Sequence, residues 1–417
     1  MSEPLAVREA PASYQVAQES QGVRPGYKQT EVGVIPADWV VKPIGLAFEI
    51  CNNLRLPISQ TVREKMIGEF PYYGPTNIQG YINEYRVEGE YALIGEDGDH
   101  FLKWRDQSMT LLVSGRFNVN NHAHLVRGTT NLTAWFYYYF SHRDLTSHLT
   151  RQGASRYKLT KNTLLGIPCA LPPSKAEQEA IAEALSDADA LIEALEQLIV
   201  KKRDLKQGTM QELLTGKKRL PGFSGEWEVK RLGDVIEKIV GGGTPSRSNP
   251  QYWGNEIPWV TVKDFATFDP RSAQEAITKT GLQHSASHLI PKDTLITSTR
   301  MALGKAVIYE VDVAINQDLK ALFPKSVLAT QFLYFWFQYH GQSIDELGSG
   351  STVKGISLPD LKKIEFPLPL IPEQTAIATV LSDMDADLTA MEQQRDKTRA
   401  LKQGMMQELL TGRIRLV

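Results

Sequence analysis

Only two cysteines, Cys51 and Cys169, occur among 417 residues. Two thiols cannot build a disulfide framework or a four-cysteine metal site, so a reducing cytoplasm is the expectation. Long apolar runs are missing as well: nothing approaches the roughly 18 consecutive apolar residues of a membrane-spanning helix. The first 25 residues lack the basic start and apolar run of a secretory signal and read as a loose arm. Charge of one sign is scarce, since 46 Lys and Arg offset 48 Asp and Glu to leave a formal net charge of −2. A protein that grips nucleic acid by bulk attraction alone is usually more basic, so any such role needs local patches or a partner's help.

Complete catalytic signatures are absent too. Asn249-Pro250-Gln251-Tyr252 lacks the second proline of the loop that holds a flipped adenine in N6-methylating enzymes. Gly241-Gly242-Gly243-Thr244-Pro245 has no Lys-Ser/Thr after it and is not a phosphate-binding loop. It reads as a flexible loop at the edge of the second half. His122 and His124 alternate, which on a strand puts them on one face, but no third ligand stands at metal spacing. Asp97 and Asp99 in GEDGDH read as a polar hairpin turn. No metal ligand and no catalytic residue is assigned.

What the chain does have is a repeat. Segments 177–216 and 373–412 align without a gap and are identical at 26 of 40 positions. Both carry Glu-Gln, Ala-Ile-Ala and Leu-Ser-Asp-x-Asp-Ala, and they end on LKQGTMQELLTG and LKQGMMQELLTG. Each follows an L-x-x-I pattern and a Leu-Pro: Leu164, Ile167, Leu171, Pro172 and Leu361, Ile364, Leu368, Pro369. Further upstream, AWFYYYFSH at 134–142 matches QFLYFWFQY at 331–339, and both are read as core. TLLVSGR at 110–116 is matched with TLITSTR at 294–300, and Val119-Asn120 with Ile315-Asn316. Short periods mean solenoids, whereas one this long means duplicated domains. The expected layout is an arm (1–25), a first domain (26–172), a helix (173–216), a second domain (217–370) and a second helix (371–417).

Ile181, Leu185, Ala188, Ile192, Leu195 and Ile199 step by four and three, as do Ile377, Leu381, Met384, Leu388 and Met391. That spacing predicts the seam of a coiled coil. The competing reading is an amphipathic helix packed on its own domain. Each helix opens acidic and closes basic, so antiparallel pairing sets acid against base. The same gradient suits each helix's own dipole. A helix of this length spans roughly 60 Å, a scale suited to spacing DNA half-sites that recur about 34 Å apart per turn.

The paired LSD-x-D…LKQG-x-MQELLTG helices, each after an L-x-x-I…LP strand end, resemble the specificity (S) subunit of type I restriction–modification enzymes. The resemblance covers nearly all of 26–417. It implies an α/β (α+β) fold with two similar target recognition domains joined by two long antiparallel coiled-coil helices. It further implies a non-catalytic chain that recognises a bipartite site on double-stranded DNA and docks two methyltransferase (M) subunits, with restriction (R) subunits in the full complex. S-adenosylmethionine would then belong to the M partner, and ATP and Mg²⁺ to the R partner. Two other readings are a coiled-coil assembly scaffold that reads no DNA, and a methyltransferase with its own chemistry.

If the domains read different half-sites, residues alike at matching positions cannot discriminate between them. Arg116 with Arg300, Asn120 with Asn316, and Ser155 with Thr352 are therefore expected to be scaffold or phosphate contacts. Base readers are expected in unmatched polar loops: Tyr72, Tyr73, Asn77, Lys103 and Arg105 in the first domain. In the second they are Thr244, Ser246, Arg247, Ser248, Lys263 and Lys305.

Overall fold

The computed structural model describes residues 23–152, 156–349 and 354–416. Two compact units emerge, one made of Met1–Glu193 with Asp396–Val417, the other of Ala194–Arg395. In the first unit eight strands matter for the argument: β1 (Phe48–Ile50), β2 (Ile67–Tyr73), β3 (Ile78–Ile82), β4 (Val87–Glu88), β5 (Tyr91–Gly95), β6 (Thr110–Val113), β7 (Arg116–Val119) and β8 (Ala123–Gly128). They form two four-stranded sheets, in the orders β1-β8-β5-β6 and β3-β2-β7-β4.

The second unit repeats the pattern with β9 (Ile236–Gly241), β10 (Trp253–Val260), β11 (Glu275–Ile277), β12 (Leu289–Ile290), β13 (Leu295–Ser298), β14 (Ala306–Ile308), β15 (Val313–Ile315) and β16 (Leu319–Pro324). Their sheets run β9-β16-β13-β14 and β11-β10-β15-β12, so every strand has a counterpart eight labels on. Even the parallel pairing is shared: β7 runs alongside β2, and β15 alongside β10. The central strands β5 and β13 are buried at every position, which explains their unbroken apolar or small sequences.

This topology corrects one match made from the sequence. TLLV is β6, at a sheet edge, whereas LITS is β13, in the middle of its sheet. The register settles the true correspondence. Ala123 of β8 faces Gly95, and Leu319 of β16 faces Ser298. Counting on two residues, Arg300 occupies the place of Asp97, not of Arg116. A short β-rich string describes almost any buried strand, so the two strings looked alike for a reason unrelated to position.

The aromatic runs form helices α1 (Thr133–Ser141) and α3 (Thr330–Glu346), and both are core. Trp135, Phe136 and Phe140 in one, and Phe332, Phe335, Trp336 and Phe337 in the other, are almost fully buried. The repeated segments form α2 (Lys175–Leu213) and α4 (Ile371–Leu409), each of 39 residues, or about 58 Å. Pro372 sits in the first turn of α4, where a missing N–H is harmless. Both helices stop at a left-handed glycine, Gly216 (φ 70°) and Gly412 (φ 68°), whose N–H groups reach back to Leu213 and Leu409.

Within each unit the two helices run in opposite directions. In the first, Asp189 near the start of α2 pairs with Lys402 near the end of α4. In the second, Lys202 and Lys206 of α2 pair with Asp387 (3.1 Å) and Asp385 (2.6 Å) of α4, and Arg203 pairs with Glu392. The charge gradient predicted this. The apolar stripe is divided between both readings of it. Ile181 and Leu185 lie in the core of the first domain, and Ile377 and Leu381 in that of the second, together with Leu409 and Leu410 or Leu213 and Leu214. Farther along, Leu195 and Leu388 are buried on the helix pair, with Ile192 and Met391 half-buried.

Candidate nucleic-acid interface and its supporting junctions

Each domain is fixed to the helices by the same set of contacts. Glu177 and Glu373 are buried carboxylates. Arg415 forks onto Glu177, and Arg219 forks onto Glu373 at 2.5 and 2.6 Å. The adjacent glutamines hold the aromatic helices: Gln178 Oε1 accepts from Leu132 N (2.9 Å), and Gln374 Oε1 from Ala329 N (2.8 Å), each at a helix N-cap. The Glu-Gln of the repeat is therefore a two-part clamp. A second clamp joins the later Asp of LSD-x-D to the Lys of LKQG, Asp189 to Lys402 and Asp385 to Lys206. Lys402 also lies over the Tyr138 ring and Lys206 over Phe335. In the second clamp one partner comes from each copy of the repeat, and Arg415 and Arg219 each stand just past the end of the copy opposite their glutamate. Both copies carry the Asp and the Lys because each junction takes its acid from one copy and its base from the other.

The proposed readers do not form one cluster. Tyr72 is fully buried, and its hydroxyl donates to Leu56 O at 2.7 Å. Its counterpart Trp259 does the same to Gly243 O at 3.0 Å. Tyr72 is therefore a core wall and leaves the set of surface readers. Tyr73 and Asn77 share the β2–β3 hairpin, where Tyr73 packs edge-on against Phe117 and burial raises its pKa. Lys103 is exposed at the end of a 3₁₀ turn, Asp99–Lys103. Arg105 stacks over Trp104 and lines a cavity of about 750 Å³ with Tyr138, Asp189 and Lys402, at the helix junction rather than beside the hairpin.

In the second domain Thr244 donates to Gln317 Oε1 (2.7 Å), and the Ser246 and Ser248 hydroxyls bond to each other (2.8 Å). Arg247 is already occupied. It forks onto Glu275 and lies 3.9 Å over Trp253, and the bond to Glu275 raises its pKa. Lys263 and Lys305 are exposed and make no ion pair among the described residues. The glycine run before Thr244 is not a flexible edge. A Cβ on Gly242 would lie 1.8 Å from Ile315 O, so the glycine permits a close backbone crossing.

Arg116 pairs with Glu88 (3.1 Å) and stacks on Tyr85, with a pKa raised first by the Glu88 hydrogen bond. Asn120 and Asn316 are true counterparts and are buried. Their Oδ1 atoms accept from the N–H two residues on, that of His122 (2.8 Å) and Asp318 (3.1 Å), so both shape the same turn. Ser155 and Thr352 lie outside the described residues.

His122 and His124 do not share a face, because His122 is in the turn before β8. His122 is exposed and bonds Asp97 at 3.0 Å, whereas His124 is buried between Asn52 (2.9 Å) and Leu159 O (2.7 Å). Burial lowers the His124 pKa. Asp97 and Asp99 flank Gly98, which leads from β5 into the 3₁₀ turn rather than around a hairpin. No trio of His, Cys, Asp or Glu fit for a metal occurs among the described residues. Sequence reading missed the pairs Asp97–His122 and Arg300–Asp318, in which an exposed His or Arg sits on a half-buried carboxylate, and a strand-register alignment is the signal that finds them.

Comparison with known proteins adds a family. The type I restriction modification DNA specificity domain matches twice, at 36–201 and 224–398. The chain is 32% identical to the type I restriction enzyme MjaIX specificity subunit of Methanocaldococcus jannaschii over 165 residues, 38% of each chain. It is 25% identical to the putative type I restriction enzyme MjaX specificity subunit of the same organism, across 94% of this chain and 97% of that one. The fold is similar to the crystal structure of a type I restriction-modification system S subunit from M. genitalium. There the TM-score is 0.63 at 15% identity, covering 89% of this chain and 96% of that one.

Proposed function

The chain belongs to the type I restriction-modification DNA specificity family, and from that premise we propose that it reads a bipartite double-stranded DNA site, one half-site per domain. It is a DNA specificity subunit without catalytic work of its own, and it acts with the other subunits of such a system. In the assembly we propose, two M subunits dock on it and bind S-adenosylmethionine. R subunits, where present, use ATP and Mg²⁺. The partners supply phosphate contacts that a chain of net charge −2 cannot make alone. No helix among the described residues is long and apolar enough to cross a membrane, and the cytoplasm is the compartment proposed.

One observation carries the reading. Two domains share strand order, register and junction clamps, yet differ in their exposed polar side chains. That is what two readers of unlike sequences on one scaffold require. The long helices supply the ruler. Footprinting of the complex with its methyltransferase subunit should protect two patches separated by a gap. Inserting four residues, about one turn, after Gln207 should change the gap while the bases read stay the same. A single patch, or an unaltered gap, overturns the proposal.

A further inference from the structure

Resting on that reading, we propose that Arg300 with Asp318 reads a guanine in one half-site, and that Asp97 with His122 reads an amino-bearing base, adenine or cytosine, in the other. The two pairs stand at one and the same place in the two domains. The backbone there is duplicated bond for bond. Glu96 N bonds His122 O (2.7 Å), as Thr299 N bonds Asp318 O (3.0 Å). Gly98 N bonds Tyr157 O (3.1 Å), as Met301 N bonds Lys354 O (3.0 Å). Leu159 N bonds Glu96 O (2.7 Å), as Ile356 N bonds Thr299 O (3.0 Å). Isolated bridges repeat the match, Asp97 with Lys158 and Arg300 with Gly355. Asn120 and Asn316 set the same turn beneath both pairs.

On this common frame the side chains have opposite character. One domain presents a carboxylate and an imidazole, the other a guanidinium and a carboxylate. A scaffold that needed an ion pair here for stability would have no reason to reverse it. The pairs are also available. The Arg300 side chain is 60% exposed and only loosely held, 4.0 Å from Asp318, unlike Arg247 on Glu275. The His122 side chain is 47% exposed. A carboxylate can only accept, so Nδ1 donates to Asp97, and in the neutral ring Nε2 is then the acceptor.

The turn that follows is strained in the second domain, where Met301 (φ 59°) and Ala302 (φ 37°) adopt left-handed backbone without being glycine. Such conformations persist where function requires them. The first domain makes that turn with Gly98 (φ 132°). Thr244 reaches Gln317, next to Asp318, and so borders the same patch.

The chemistry of the major groove assigns the bases. An arginine fork matches guanine O6 and N7, and carboxylate or imidazole acceptors match the amino group of cytosine or adenine. The test is the methylation motif written by the complete methyltransferase complex, compared for the wild type, Arg300→Ala, Arg300→Lys and Asp97→Asn. Arg300→Ala should relax one guanine position in a single half-site. Discrimination there should fall roughly 5- to 150-fold, with the other half-site and the gap intact. Arg300→Lys keeps the charge, loses the fork, and should relax the same position. Asp97→Asn should act only in the opposite half-site. A motif unchanged by all three overturns the inference. So does a uniform weakening with the salt slope reduced by about one, which marks a phosphate contact instead. If the wild-type complex writes no bipartite motif at all, it is the proposed function that fails.

Discussion

Substituting Arg415 by Ala removes the only side-chain donor to Glu177 among the described residues. The Glu177 side chain is 0% exposed, so its carboxylate is left deep in the first unit without a partner. Breaking a fully buried pair costs about 3–5 kcal/mol. Arg415 itself is 31% exposed, so water enters the vacated site, and about 2–3 kcal/mol is the expected loss. Asp38 also loses its partner. Its pKa is held down first by the hydrogen bond from Arg415. A depressed carboxylate contributes stability above its unfolded value, near 3.9, and that contribution fades as pH falls through the folded value. Arg415→Ala should therefore flatten the stability profile below about pH 4, by less than about 1 kcal/mol for so exposed a group.

The second unit supplies an internal control. Glu373 would still accept from Trp227 Nε1 at 3.0 Å, whereas Trp39 Nε1 is buried without a partner. Arg219→Ala should then cost less than Arg415→Ala. Adding Glu177→Gln to Arg415→Ala should recover at least about 1 kcal/mol by removing the stranded charge. Hydrogen exchange over 35–42 and 175–190, together with urea unfolding followed for each unit, checks this. A loss of less than about 0.5 kcal/mol for Arg415→Ala, or a larger one for Arg219→Ala, would refute the clamp reasoning.

Gly242→Ala should unfold or misassemble the second domain, with a loss above about 3 kcal/mol, because the new methyl collides with the Ile315 and Asn316 backbone. Limited proteolysis reads this directly, and a wild-type digestion pattern would contradict the close crossing. His124 is held neutral by burial, with its pKa lowered. Its contribution is present above the unfolded value near 6.5 and lost as pH falls from there. His124→Gln should reduce the pH slope of first-domain stability between about pH 7 and 5, with His100, also lowered by burial, leaving a remainder. Urea midpoints across that range measure it, and an unchanged slope would show that His124 does not titrate on unfolding.

The helices were legible because their information is local. A stripe at four-and-three spacing, a charge gradient and a glycine stop each lie within a few turns of chain, so antiparallel α2 and α4 could be read directly. The domains were less so. Tyr72 looked like a polar loop residue but is core, with Leu56 O accepting its hydroxyl and Arg63 lying over its ring. Arg300 looked like the twin of Arg116, because β6 and β13 share a composition that any half- or fully buried strand can have.

The sequence alone determined that one unit is written twice and that no metal or nucleotide motif is complete, and its charge gradient favoured opposed helices. Periodicity and identity are properties of the string. Only the tertiary structure decided that Arg300 corresponds to Asp97 and not to Arg116, and that the ionic clamps exchange partners between the copies. Strand register is set by hydrogen bonds between separate strands, such as Gly95 with Ala123, and the clamps by ion pairs between segments 154 to 238 positions apart. Arg415 meets Glu177 across 238 positions, and no local pattern records such a meeting.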